Sequence, residues 1–178
     1  MKFINDNLKK AGYFNAALII VAIVFRLYFI GIFPTAIKID SIICTIALIF
    51  GLFYSFNGYK KDAAKYYKAF MYLYLFSSLF SFIASISGDK TNIIIVITNV
   101  VILLSAAALA FAKDLGESKS NTLSLVILAL NIVKMFVVIS TTGVSLAVTL
   151  HFSNLVLACI LCVFVSAKYA DKQSRGAI

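Results

Sequence analysis

The 178-residue chain is 62% hydrophobic and only 13% charged, with a mean hydropathy of +1.02, whereas about a quarter of the residues of a soluble domain are charged. That balance excludes an ordinary water-soluble domain and predicts an all-α, polytopic integral membrane protein, residues 1–178 forming a single membrane domain. The net charge of +9 lies in short connections and tails rather than on a basic helix, so it argues for orientation in a bilayer and against nucleic acid as a partner.

About 20 apolar residues are needed to cross ~30 Å of hydrocarbon at roughly 1.5 Å per residue. The chain offers six such runs: 14–33, 39–57, 66–87, 92–112, 123–142 and 144–167. They are continuous and lack the in-out alternation of lipid-facing strands, so a bundle of six transmembrane helices is predicted. The first run has no small-x-small cleavage site after a short apolar core and is expected to stay as an anchor. Ahead of it, KFINDNLKK can lie along the interface with Phe3, Ile4 and Leu8 down. Breaks fall at Gly31 with Pro34, Asn57-Gly58, Gly88-Asp89, the polar GESKSN stretch and Thr141-Thr142-Gly143. The brevity of the last makes helices five and six an antiparallel hairpin.

With six crossings, one side carries Lys2, Lys9, Lys10, Lys60, Lys61, Lys65, Lys68, Lys113, Lys119, Lys168, Lys172 and Arg175, and the other only Lys38 and Lys90. The asymmetry predicts both termini in the cytoplasm of a cell whose plasma membrane the chain crosses repeatedly. The Lys-, Ile-, Asn- and Phe-rich usage hints at an AT-rich bacterium. In the second cytoplasmic connection, Lys60, Lys61, Lys65, Tyr66, Tyr67 and Lys68 form a basic and aromatic collar. It is expected to anchor at the headgroups or, alternatively, to dock a partner subunit.

Two cations lie within the apolar runs. Arg26 and Lys134 each cost about 2.5–3.5 kcal/mol at a helix centre on insertion scales. Both helices run from inside to outside, and helical side chains lean toward their own N-terminus, so an interior polar environment is expected, the alternative being that both snorkel to the nearer surface. Asn131 shares a helix face with Lys134 three residues away. Asn99 with Thr98, the serines Ser77, Ser81 and Ser85, and His151, Ser153 and Asn154 lie at similar depth. Taken together, Arg26, Lys134, Asn131, Asn99, His151 and Asn154 are the candidate lining of a polar cavity. Taken singly, the serines and amides suit helix packing, and His151 suits a hydrogen bond better than a metal.

The seven acids, Asp6, Asp40, Asp62, Asp89, Asp114, Glu117 and Asp171, all fall in tails or loops or at their edges. An interior with two cations and no carboxylate argues against a carboxylate-driven pump. It asks for an anionic group from a small molecule, a lipid headgroup or a partner, or alternatively for a Lys134 held neutral by desolvation and the like charge of Arg26.

Enzyme motifs fail, so no catalytic residue, cofactor or metal is expected. The Cys159-x-x-Cys162 pair lies in apolar surroundings with only Cys44 besides. Gly143-Val144-Ser145 and His151 are six residues apart from Ser to His and do not face one another on a helix. No H-E-x-x-H, P-loop or dinucleotide fingerprint is present. In length and helix count alone, the chain resembles the substrate-binding subunits of energy-coupling-factor transporters, which work with separate ATPases. The expected function is therefore a small-solute-binding transport subunit that prefers a ligand with an anionic group. The alternative is a non-transporting interaction, regulatory or immunity-type membrane protein, and the third reading is an integral membrane enzyme.

Overall fold

A computed structural model describes residues 2–29, 31, 35–57, 63–86, 92–112, 115–142 and 146–174. The described residues form six α-helices: α1 (Lys2–Phe29), α2 (Thr35–Asn57), α3 (Ala63–Ile86), α4 (Ile93–Phe111), α5 (Gly116–Thr142) and α6 (Leu146–Ser174). Among them α3, α4, α5 and α6 contain stretches long and apolar enough to cross a membrane, and α1 contributes a shorter apolar stretch, Tyr13–Tyr28.

Several helices outrun their apolar runs. Backbone hydrogen bonding costs nothing to continue into water, so hydropathy marks the lipid-facing length and not the helix end. The segment from Lys2 to Lys10 continues α1 as one helix. The polar GESKSN stretch is the first turn and a half of α5, and α6 runs on to Ser174. α5 opens at Gly116 with φ of 67°, a left-handed conformation that glycine adopts without a Cβ penalty. α4 is capped by Asn92, whose side-chain oxygen accepts from the Ile94 amide at 3.0 Å.

Helices α1 to α5 follow one another side by side, and α6 closes the set. It packs on α1, α2, α3 and α5. Its span is accordingly the most enclosed, 56% buried against about a third or less for the other three. Gly51 permits a close approach of α2 to α6: a Cβ there would stand 3.0 Å from Ile160 Cδ1. Against α3, Phe164 stacks on Phe70 with ring centroids 4.7 Å apart. At the far end Ser120 of α5 meets the Tyr169 hydroxyl of α6 at 2.9 Å.

Around and beside an apolar core, the surface is apolar too, and several polar and charged side chains lie inside. Phe14, Val24, Phe53, Ile93, Leu104 and Phe136 are among the most exposed apolar residues, while Arg26, Asp40, Asn99, Asn131 and Lys134 are buried. Apolar groups outside and polar groups inside is the arrangement that a hydrocarbon solvent favours.

Candidate functional site

Among the last four helices, α3 packs on α4 and α6, and α5 packs on α4 and α6. Among the described residues no close backbone approach joins α3 to α5 or α4 to α6, and Tyr74 of α3 reaches across to Asn131 of α5 through its side chain. Four helices packed as a ring without close diagonals leave a space along their common axis. That space is lined by Tyr74, Ser77, Ser78 and Ser81 of α3, Asn99 and Ile102 of α4, Asn131 and Lys134 of α5, and Asn154 and Leu157 of α6. It is small, with room for about one water molecule.

Lys134 is the charged residue of this cleft. It is only 2% exposed, and its Nζ donates to Asn99 Oδ1 at 2.6 Å, a short charge-assisted bond. An ammonium has three hydrogens and no acceptor. Asn99 is the one hydrogen-bond partner of Lys134 among the described residues. Asn99 in turn is fixed by its amide nitrogen, which donates to the Ser81 carbonyl at 3.2 Å. Asn131 lines the same cleft three residues from Lys134, its amide donating to the Ile127 carbonyl one turn back at 2.8 Å.

Arg26 sits outside the cleft, where α1, α2 and α6 meet. Completely buried, it donates to Ser41 Oγ at 3.2 Å, to the Leu150 carbonyl at 3.5 Å and to Asn154 Oδ1 at 3.4 Å. It also lies 4.0 Å from Asp40 Oδ2. Its place in the last turn of α1 adds the attraction of a helix C-terminus for a cation.

Asp40 corrects the expectation of an acid-free interior. α2 starts at Thr35, so Asp40 is five residues inside the helix and 8% exposed, with Ser77 Oγ of α3 donating to its other oxygen at 3.1 Å. Hydropathy placed the helix edge at Ile39 because the turn before it is mixed. The pairing of Asp40 with Arg26 keeps the carboxylate inside.

These bonds join into one chain. Asp40 faces Arg26, Arg26 donates to Asn154, and Asn154 donates to Ser81 Oγ at 3.5 Å. The Ser81 carbonyl accepts from Asn99, and Asn99 accepts from Lys134. The path visits α2, α1, α6, α3, α4 and α5, every helix once. All six positions lie toward the end of the bundle that carries the α1–α2, α3–α4 and α5–α6 connections. Its links on the Arg26 side are long and weak, and its Lys134 end is short and strong.

Of the remaining sequence candidates, His151 is half-buried beside this region but does not line the cleft, and its Nδ1 has no hydrogen-bond partner among the described residues. In the collar, Tyr66 and Lys68 are exposed, whereas Tyr67 turns into the core beneath the Lys168 ammonium, 4.6 Å from its ring centre. Lys60 and Lys61, and the side chain of Lys65, lie outside the described residues. Cys44, Cys159 and Cys162 are free thiols, and Cys162 Sγ donates to the Ser124 carbonyl of α5 at 3.4 Å. Sequence reasoning missed Asp40, Ser41, Tyr74 and Ser78. The first two have a legible signal, since Asp40, Ser41, Cys44, Ala47, Leu48 and Gly51 recur at helical spacing as one buried stripe of α2.

No protein-family model matches the chain, nor does any curated protein or solved structure.

Proposed function

We propose that this chain is a six-span membrane subunit, both termini cytoplasmic, that binds a small solute through an anionic group in the α3–α6 cleft for transport. The observation that carries the proposal is Lys134: a buried cation hydrogen-bonded only to a neutral amide and facing a polar cleft. An uncompensated charge in a low-dielectric interior is costly, and a ligand anion offsets that cost. Arg26 has a carboxylate of its own and serves to hold α1, α2 and α6 around Asn154. The cleft widens to accept the rest of the solute, and the energy for transport comes from a partner, since the sequence has no nucleotide-binding motif.

The small size of the cleft favours a second reading, in which the polar chain is a lock that orders the helices of an interaction protein. Native mass spectrometry of gently purified protein separates the two. A retained small anion that is lost in Lys134→Met, while Arg26→Gln changes stability more than retention, supports the solute-binding subunit. Protein that is bare in both forms, or retention indifferent to Lys134, overturns it.

A further inference from the structure

The charge balance around the cleft limits what can enter it. The buried charged residues among the described ones are Arg26, Asp40 and Lys134. Arg26 and Asp40 offset one another, so the interior carries one net positive charge, on Lys134. In a medium of low dielectric constant, a single negative charge brings the site to neutrality, whereas a dianion leaves an uncompensated charge of the opposite sign.

Hydrogen-bond donors indicate where an anion would sit. Ser77 commits its hydroxyl hydrogen to Asp40, and Ser78 commits its own to the Tyr74 carbonyl at 2.9 Å. The Asn99, Asn131 and Asn154 amides already donate to Ser81, Ile127 and Ser81 respectively. Lys134 keeps two N–H groups and Ser81, whose oxygen accepts from Asn154, keeps its hydroxyl hydrogen, while each of the three amides retains a second N–H and Tyr74 adds its hydroxyl to the lining. With Ile102 and Leu157 in the walls, the Lys134 and Ser81 donors suit a spherical monoanion or the two oxygens of a carboxylate, and the single net charge of the interior is what disfavours sulfate or phosphate.

Resting on the anion-binding reading above, we infer that the cleft selects a monovalent anion, a free halide or the carboxylate of a larger solute, seated on Lys134 Nζ and Ser81 Oγ, and that the Arg26–Asp40 pair sets this selectivity by keeping the site at a single positive charge.

The test is a thermal-stability titration of the full chain in detergent, at constant ionic strength to remove general screening, with chloride, acetate and sulfate as probes. Saturable stabilisation by chloride, acetate or both, with sulfate giving none, is the expected result. Response to chloride alone identifies a halide site, and response to acetate alone a carboxylate site. Lys134→Arg is expected to retain binding and Lys134→Met to weaken it by about tenfold or more, the effect of losing a charged hydrogen bond. Asp40→Asn, which frees the Arg26 charge without changing side-chain size, is expected to shift preference toward sulfate, a change that mere loss of packing does not produce. Ser81→Ala supplies a second arm should Asp40→Asn fail to fold: weaker monoanion binding with no gain for sulfate. Sulfate binding to the wild type as tightly as the monoanions, and lost in Lys134→Met, overturns the charge selectivity while leaving the anion-binding subunit standing. Monoanion binding indifferent to Lys134→Met overturns the site. No saturable response to any probe removes the inference, and the co-purified solute remains the separate test of the broader reading.

Discussion

Arg26 and Lys134 are both buried cations on helices of the same direction, yet their surroundings differ in kind. Arg26 has Ser41, the Leu150 carbonyl, Asn154 and the Asp40 carboxylate around it, whereas Lys134 has one neutral amide. Removing one partner of a buried ion pair strands the other, at a cost of about 3–5 kcal/mol. Arg26→Gln and Asp40→Asn are therefore each expected to lower stability markedly, and the double variant to lose less than the sum of the two. A double-mutant cycle read by chemical denaturation in detergent checks this, and strict additivity would show that the pair does not couple. The unusual cost of the two cations was legible in the sequence, because each interrupts a long apolar run. Their different fates were not. They depend on Asp40, which hydropathy assigns to a helix edge, and on the rotation of α2 that turns its Asp40–Ser41–Cys44 face inward.

At the scale of the helix, α6 organises the packing. Its neighbours α1, α2, α3 and α5 all lie against it, and Gly51 lets α2 come close to Ile160. Gly51→Leu drives a side chain into Ile160 and is expected to destabilise the bundle by about 1–3 kcal/mol, as overpacking does. Ile160→Ala in the same chain is expected to recover part of that loss, and thermal midpoints of the single and double variants measure it. A Gly51→Leu protein as stable as the wild type would mean that α2 and α6 stand further apart. The apolar runs located the helices well because lipid exposure demands them. Helix ends were less legible: α5 begins at Gly116 and α6 continues to Ser174 through polar sequence that hydropathy cannot distinguish from a loop. The central position of α6 has no hydropathy signal either, since a helix facing lipid and a helix facing other helices are equally apolar.

Across the whole molecule, the polar chain lies toward one end of the bundle and Lys10, Lys68, Lys119 and Lys168 toward the other. In the proposed topology the polar chain lies toward the outside and the lysines toward the cytoplasm. In a variant freed of its native thiols, Gly31→Cys is expected to react with a membrane-impermeant maleimide in intact cells, and Lys119→Cys only after the cells are opened. Both positions are exposed at opposite ends of their helices, so the reverse labelling would invert the topology. The sequence indicated that polar residues of several helices share a depth. The structure supplies the azimuth, which puts Asn99, Asn131, Lys134 and Asn154 around one cleft and leaves Arg26 and His151 outside it.

The most direct measurement compares the ligand-free stability of two charge-removing variants, Lys134→Met and Arg26→Gln. If Lys134 is an unpaired cation held ready for an anion, replacing it with an apolar side chain of similar length removes a desolvation penalty and leaves only Asn99 Oδ1 without a donor. Expected is a loss of about 3–5 kcal/mol for Arg26→Gln and a change within about 1 kcal/mol, or a gain, for Lys134→Met. A Lys134→Met protein destabilised as much as Arg26→Gln would contradict this, making Lys134 a structural lock like Arg26 and the cleft a seam between helices.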